Sequence, residues 1–503
     1  MMNPPIQLIY VKNIISRTVH GTFQEMLFAV RVGAGDYGKR VDIHWCGEDG
    51  VWQVSAAGYR CGVGGEEELW TAEVGVPLTM DSAIPGNIQF AACLERDGIR
   101  HWDSRFGQNY RSDADSGVIG FGPEPVQVVG YDPELAPGIL AVPVEVAVRQ
   151  SVAPEAVVIH WTTDGWATSH QAPAYFRRNH WDLSVGSNAR NPNRYGWEVW
   201  TGRIPVQHAY RVEYAIECRT AHQVVWDNCG GRNYCARRGT LKVLTLNLHT
   251  YQEEDQQQKF QRVAQAIQER KIDLVCLQEV GENWNGGAGD WSSNAARIIN
   301  DHLPQPYHLR TDWAHLGFER YREGLAILSR HPFALTDSGY VSDSQDPFDI
   351  HARKVVMAQV RVPYMGLINV FSAHLSWPSA GFYPQYARLQ RWAEAKQAPE
   401  VAATLLCGDF NIAAGSEAYR QIVDAGEFED QYLKILRPAE FQQVFRARSG
   451  DPVQLLEQDR RIDYLWLRNG SALRAIHAEE LFTAACYGRV SDHTGYLVEF
   501  ELR

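Results

Sequence analysis

Short runs that alternate apolar and polar side chains, broken by Gly, Asn, Asp and Pro, fill the first half of the chain. Val212-Glu213-Tyr214-Ala215-Ile216-Glu217 is one such run. Period-two alternation between turn residues is the pattern of half-buried strands in a β-sandwich. The runs also recur. VDIHWCGEDGVW at 41–52 returns as VVIHWTTDGWAT at 157–168, LWTAEVGVP at 69–77 as VWTGRIPV at 199–206, and HWDSRFGQNYR at 101–111 as VWDNCGGRNYC at 225–235. The copies are offset by 116 residues at Trp45 and Trp161, 130 at Trp70 and Trp200, and 124 at Trp102 and Trp226. Such drift is expected when insertions fall in loops between strands. Two β-sandwich modules are therefore predicted, over 1–115 and 125–238. The polar, Gly- and Pro-rich stretch SDADSGVIGFGPEP at 112–125 reads as the linker between them.

After Arg238 the periodicity changes. KVLTLNL reads as a strand, and KFQRVAQAIQERK as an amphipathic helix with Phe260, Val263, Ala264 and Ile267 on one face. IDLVCLQEV then reads as a buried strand. FSAHL, TLLCGDFN and RIDYLWL continue the series of strands, so 240–503 is predicted to form a separate α/β domain with its boundary near Gly239.

Length agrees with several domains, since 503 residues exceed what one core usually serves. With 45% hydrophobic and 21% charged residues, neither wholesale disorder nor a fibrous chain is expected. The net charge of −12 argues against non-specific grip on nucleic acid or anionic membrane as the main source of affinity. Met1 to Tyr10 lacks a basic cluster followed by an apolar run, and no stretch reaches the roughly 18 apolar residues of a membrane span, so a cytoplasmic protein is expected. Cys276 and Cys407 sit in apolar runs, and reduced thiols are expected throughout. A bond between the near neighbours Cys229 and Cys235 would contradict that compartment.

Polar residues cluster where the C-terminal strands end. They are Asn247 in LTLNLH, Glu279 in LQEV, His374 in SAHL, Asp409 and Asn411 in GDFN, Asp463 in RIDYLWL, and Asp492 and His493 in SDHTG. Alone, each reads as a turn former, a helix cap or a satisfied histidine. Together they supply oxygen ligands for a hard cation plus two imidazoles. Mg²⁺ binds through one or two carboxylates and keeps water and substrate phosphate, which suits Glu279 assisted by Asn247 or Asp492. Zinc does not fit, because no paired Cys or His ligands stand at zinc spacing.

The motifs LNLH, QE, EGLAILSR, SAHL, GDFN, RIDYLWL and SDH occur in that order. In this they resemble the endonuclease/exonuclease/phosphatase superfamily of pancreatic deoxyribonuclease, apurinic endonucleases, neutral sphingomyelinases and inositol polyphosphate phosphatases. The resemblance spans 240–503 and implies a four-layered α/β sandwich and a metal-dependent phosphoric ester hydrolase, with Mg²⁺, or Mn²⁺ in its place, as cofactor. By motif, the family's metal site falls on Asn247 and Glu279, with Asp492 close by. Asp409 matches the residue that orients or deprotonates the attacking water, and Asn411 the one that holds that water or a phosphate oxygen. His493 matches the contact to the scissile phosphate, and His374 the second histidine of the deoxyribonuclease branch. Asp463 and Glu323, in REGLAIL, match carboxylates that hydrogen bond such histidines; motif order pairs His374 with Asp463 and His493 with Glu323. Arg353 in HARK matches a phosphate-binding arginine. In-line attack on phosphorus needs such a positioned water, cation and set of donors.

The phosphoester itself is not legible. Residues 240–503 hold 27 Lys and Arg against 34 Asp and Glu, without an obvious basic stripe for a duplex, so nucleic acid enters as a substrate only. Ten of the 16 Trp lie before Gly239, however, and aromatic faces beside Asn and Asp suit sugar rings. The shared loop pattern WD(S/N)xxGxNY resembles the starch- and glycogen-binding modules of carbohydrate-binding family 21. That resemblance implies an α-glucan partner bound through Trp226, Asn233 and Tyr234, with Trp161 and Trp166 as further platforms. The first copy's Trp102, Asn109 and Tyr110 correspond, although Ser104-Arg105 replaces Asn228-Cys229. Trp45 and Trp161 follow apolar strand residues and are expected toward the core; Trp102, Trp226, Tyr110 and Tyr234 are expected at the surface. The leading reading is a phosphohydrolase or phosphodiesterase tethered to a glycogen- or starch-like glucan. A nuclease with the sandwiches as protein-interaction spacers and a non-enzymatic glucan-binding scaffold are the alternatives.

Overall fold

The computed structural model describes residues 4–34, 39–64, 67–136, 138–176, 186–447 and 451–503. The chain divides into two compact units, Met1–Arg238 and Gly239–Arg503. Among the described residues no helix is long and apolar enough to cross a membrane.

The first unit is built of antiparallel sheets. Gly117–Gly120, Ile6–Thr18, Gly21–Gly33, Glu67–Pro77 and Gly58–Val63 lie side by side in one sheet. Gln53–Ala56, Arg40–Cys46, Ile88–Arg96 and Ile99–Asp103 make a second. The later repeat lays Val126–Val129, Ala141–Arg149, Trp197–Pro205, His170–Phe176, Ala156–Thr162, Arg211–Arg219 and Val224–Asp227 side by side. Here His170–Phe176 pairs with Ala156–Thr162 up to Ala174 and with Trp197–Pro205 from Tyr175, so one strand passes between two sheet segments. The repeated sequences occupy matching places. Arg40–Cys46 pairs with Ile88–Arg96, as Ala156–Thr162 pairs with Arg211–Arg219. Trp45 is 2% exposed, as its strand position predicts, and its Nε1 donates to Ser55 Oγ at 3.0 Å.

The stretch 112–125 is more than a linker. Gly117–Gly120 pairs with Tyr10–Asn13 as the edge strand of the first sheet, because Val118 and Ile119 inside that polar run have apolar surface to bury. The two repeats also share a core: Ile9, Tyr10 and Val118 pack in one buried cluster with Val128, Val146 and Ile159. The Gly130 N–H donates to the Tyr10 hydroxyl at 3.0 Å across that junction.

In the second unit the described strands form two six-stranded sheets. One runs His308–Gly317, Tyr321–Ser329, Leu274–Asn283, Leu241–Asn247, Gly495–Leu502, Leu473–Leu481. The other runs Phe333–Tyr340, Lys354–Val362, Gly366–His374, Val401–Asp409, Asp463–Arg468, Phe428–Asp430. The sheets are tied by Gln278 Nε2 donating to Ser372 Oγ and Ser372 Oγ donating to Leu277 O, both at 3.1 Å. On the first sheet, helix Gln256–Glu269 buries its stripe of Phe260, Val263, Ala264 and Ile267 against Leu246, Leu277 and Leu328. On the second, helix Phe382–Ala395 and helix Glu417–Ala425 pack Phe382, Leu389, Tyr419 and Ile422 against Phe371, Leu406 and Trp466. Each large apolar side chain so buried contributes about 1.5–3 kcal/mol relative to exposure. The strands are thereby held rigidly, and their ends carry the polar cluster.

Candidate active site

Three side chains of the cluster stand in one row across the second sheet. His374 is the parallel register partner of Asp409, and Asp409 is the antiparallel partner of Asp463. That row depends on Gly408. It has φ +138°, and a Cβ there would lie 1.9 Å from Ala373 O, so no other residue lets the two strands approach this closely. Asn411 follows in the left-handed region at φ +52°, which Asn tolerates. Its N–H donates to Asp409 Oδ1 at 2.8 Å and its Nδ2 to Leu375 O at 2.9 Å.

On the first sheet, Leu277 pairs with Ala326 but Val280 with Gly324, so one extra residue is inserted there. Glu279 sits in that bulge at φ +49°. Bulges re-aim side chains next to sites, and here Glu279 Oε1 accepts from Asn247 Nδ2 at 2.8 Å. Asn247, fully buried, also donates to Asp409 Oδ2 at 3.2 Å, which joins the strand ends of the two sheets.

The histidines are paired otherwise than motif order suggests. His493 Nδ1 lies 2.7 Å from Asp463 Oδ2, and its Nε2 is 3.9 Å from Asp409. His374 Nε2 lies 3.6 Å from Asp409 Oδ2. Glu323 pairs with neither; its Oε1 is 3.3 Å from His315 Nε2, its register partner on the neighbouring strand. Chain order records which strand ends carry polar groups, whereas register within a sheet and packing between the sheets decide which of them touch. His315 carries no motif. It is 3% exposed, places Nδ1 3.0 Å from Ala352 O, and lies 3.5 Å from an Arg353 nitrogen. Arg353 itself donates to Ile350 O at 2.9 Å, and its Nε is buried with no partner among the described residues.

Asp492 departs from the expected metal set. It is exposed and stands 3.5 Å from His249, which is 2.8 Å from Glu253. His249 and Glu253 lie outside the motif residues named above, although His249 stands two positions after Asn247 in LNLH, which is the signal that points to it.

Burial disfavours charge at most of these groups, and neighbours decide the outcome. Burial, then Asp463, pushes the Asp409 carboxyl up to about 8. Burial followed by Glu323 also raises Glu279. For His374, burial first and then its neighbours, Arg353 above all, hold the ring well below the ordinary histidine range. Burial also opposes charge on His493, but the Asp463 hydrogen bond and the nearby Asp409 and Asp492 outweigh it and push His493 up to about 9. One imidazole is thus neutral and the other an imidazolium at neutral pH, the separation that general acid–base work requires.

Oxygens of Glu279 and Asp409 and a His374 nitrogen lie within 4.8 Å of one another. Burial raises both carboxyls, with Asp463 adding to it at Asp409 and Glu323 at Glu279, and the nearby His493 offsets only part of this. An oxygen-rich set of this kind could hold a hard divalent cation.

In EDTA, stability is expected to fall as pH rises. A histidine raised to about 9 contributes stability that is present in full below its unfolded value near 6.5 and lost through 9. Asp409, which keeps its proton to about 8, acts in the same direction from the carboxylate range upward. Thermal melts between pH 6 and 10 should show the decline, and His493→Gln should flatten its upper part. An unchanged slope in that variant would remove His493 as the source.

In the first unit, the two motif tyrosines turn inward. Tyr234 is 2% exposed, its hydroxyl donates to Asp227 at 2.9 Å, and its ring stacks on Tyr214 at 5.3 Å. Tyr110 is half-buried and donates to Asp103 at 2.8 Å. The expectation that both face solvent is corrected: the Asp of each WD pair needs a buried donor, and the Tyr supplies it. Asn109 and Asn233 hold left-handed turns at φ +57° and +59°, with their N–H groups bonded to Ser104 O and Asn228 O. The motif tryptophans do reach solvent. Trp102 is 48% and Trp226 50% exposed, each ring packed on a histidine of the repeated strand, His44 at 4.7 Å and His160 at 5.0 Å. Trp166 is at the surface with Nε1 bonded to Glu213, and Trp161 is half-buried against His170.

Residues 244–493 match the family described as Endonuclease/Exonuclease/phosphatase family. Its members are metal-dependent phosphoester hydrolases, among them phosphatases, nucleases and phosphodiesterases. Among solved structures, the chain is similar to an endonuclease/exonuclease/phosphatase family protein from Leptotrichia buccalis, at 25% identity and TM-score 0.44, covering 52% of this chain and 100% of that one. It is similar to an endonuclease/exonuclease/phosphatase from Beutenbergia cavernae at 22% identity and TM-score 0.40, covering 53% and 72%. A mannosyl-6-phosphatase of Bacteroides thetaiotaomicron is 15% identical with TM-score 0.37, covering 52% and 100%. No curated protein matches the chain.

Proposed function

We propose, from the endonuclease/exonuclease/phosphatase domain at residues 244–493, that the chain is a Mg²⁺-dependent phosphohydrolase or phosphodiesterase, with Mn²⁺ able to replace Mg²⁺, held by its first unit on a glycogen- or starch-like α-glucan. The observation that carries the catalytic half is the convergence of Asn247, Glu279, His374, Asp409, Asp463 and His493 at the ends of strands from two sheets. A cation held at Glu279 and Asn247 would neutralise charge developing on the phosphoryl oxygens. Asp409, steadied by Asn247 and the Asn411 N–H, orients the attacking water. His493, held as an imidazolium by Asp463, donates toward a phosphoryl or leaving oxygen. His374, neutral, adds a second polar contact. The unpartnered Arg353 Nε offers its N–H to an equatorial oxygen, with Glu323 and His315 fixing the surroundings of the guanidinium.

The glucan half of the proposal rests on Trp102 and Trp226, whose exposed rings sit over equivalent histidines in the two sequence repeats. Asn109, Tyr110, Asn233 and Tyr234 shape their loops rather than offer faces to sugar. Trp161 and Trp166 remain flanking platforms. A four-layered α/β sandwich for 240–503 and a cytoplasmic setting belong to the same reading.

The full chain with Mg²⁺ is expected to hydrolyse bis-p-nitrophenyl phosphate and to stop in EDTA. Plasmid DNA, RNA, phosphorylated glycogen, inositol phosphates and sphingomyelin then sort the substrate class. A panel with no turnover at any member would sink the catalytic half. In native gels containing glycogen the chain should be retarded. Trp226→Ala with Trp102→Ala should remove most of that retardation, because two weak sites on one polymer gain about 10² to 10⁴ in apparent affinity that is lost with them. Migration unaffected by glycogen would sink the glucan half alone.

A further inference from the structure

We infer that Cys61 and Cys229 are a modification site, forming a reversible disulfide between the two repeats of the first unit by exchange with a small-molecule disulfide. Their sulfurs lie 3.4 Å apart although the residues are 168 positions apart in the chain. Cys61 is on strand Gly58–Val63 of the first repeat and Cys229 in the turn Cys229–Gly231 of the second.

The backbone holds the two thiols together. A Cβ on Gly64 would lie 1.9 Å from Gly230 O, and one on Gly230 2.4 Å from Gly64 N, so the chains touch directly beside the sulfurs through paired glycines. Cys229 is at φ +53°, and its N–H donates to Asp227 Oδ1 at 3.3 Å. Cys61 is partly exposed and so open to a small reagent from solvent, while a cavity of about 310 Å³, lined in part by Val63, Gly64, Asn228, Cys229 and Gly230, lies beside Cys229. By contrast, Cys407, which is hydrogen-bonded to Cys276, is fully buried with its partner.

The surroundings assign the roles. A Cβ on Gly62 would lie 2.6 Å from an Arg232 guanidinium nitrogen, so that cation stands beside Cys61. The contact between the two sulfurs, with Arg232 in support, holds the Cys61 thiol below its ordinary range, while that contact and burial raise Cys229. A thiol near a cation and a donor is the reactive one. The Cys61 thiolate attacks one sulfur of RSSR, the S–S bond breaks and RS⁻ leaves. Cys229 then passes its proton to that thiolate, attacks Cys61 Sγ and expels a second RS⁻. Two S–H bonds become one S–S bond, and one RSSR becomes two RSH after the second thiolate takes up the proton lost from Cys61. The turn that follows Trp226 is thereby tied to the first repeat.

The test uses the full chain treated with hydroxyethyl disulfide, then thiol counting and non-reducing peptide mapping. Two of the nine thiols should be lost, with a Cys61–Cys229 crosslink that dithiothreitol reverses and a raised unfolding temperature. Cys229→Ser should instead retain the reagent as an adduct on Cys61, and Cys61→Ser should form neither product. Nine retained thiols, a stable adduct on wild-type Cys61 with no crosslink, or a bond from Cys229 to Cys235 would each overturn the inference. Because the wild-type map alone decides between these, a variant that fails to fold leaves the test intact. Failure here would leave the phosphohydrolase reading untouched, since no catalytic group is involved.

Discussion

Asp409→Asn is expected to keep the fold and lose turnover by at least about 10² to 10⁴-fold, the contribution of a positioned acid–base group, with further loss from misplacing the water. Asp409 is 2% exposed and stands between Asn247, His374 and His493. An amide there keeps size and one acceptor but cannot ionise to take a proton from the water. The change falls on a group that no core packing requires, so the unfolding midpoint should move little. Glu279→Gln separates the metal from the water. It removes the charge at the bulge while leaving Asp409 in place, and the Mg²⁺ concentration for half-maximal rate should rise. Initial rates against Mg²⁺, with circular dichroism of each variant, make the comparison. A well-folded Asp409→Asn chain with a near wild-type rate would end the assignment.

Gly408→Ala should damage stability and activity together. A methyl there would sit 1.9 Å from Ala373 O on the adjoining strand, and φ +138° is a region that alanine rarely adopts. The backbone conformation costs of order 1–3 kcal/mol, and displacing the neighbouring strand costs a comparable amount. That strand carries His374 in register with Asp409, so the shift that relieves the clash moves the reacting groups apart. Gly470→Ala is the control. Gly470 has φ +79° but nothing within 4 Å of the added carbon, so only the backbone part should appear. Urea unfolding of both variants, with activity of the folded fraction, tests the difference. Equal losses would show that the strand approach at Gly408 does not matter.

Much of the fold was legible because periodicity is a local property. The stripe of Phe260, Val263, Ala264 and Ile267 marked a helix and is the face that packs. The recurring VxIHW strands fell in matching places in two sheets, and the change of pattern after Arg238 coincides with the division between units. The polar strand ends were legible for a similar reason, since a carboxylate or histidine closing an apolar run has nowhere to go but the sheet edge.

What local pattern could not report was contact between distant segments. Sheet register put His315 on Glu323, packing of one sheet on the other brought His493 to Asp463, and a one-residue bulge aimed Glu279. The tyrosines of the WD loops have the pattern of sugar platforms, but packing binds each one to the aspartate seven residues before it. The valine and isoleucine at 118 and 119 turned a predicted linker into an edge strand once there was a strand for them to join. Cys61 and Cys229, far apart in the chain, met only when the two repeats packed on a common core. The sequence by itself determined which faces are apolar and which strand ends are polar, because side-chain chemistry and backbone period act over a few residues. Tertiary structure alone decided which polar ends meet, because hydrogen-bond register and close packing act between strands that the chain does not connect directly.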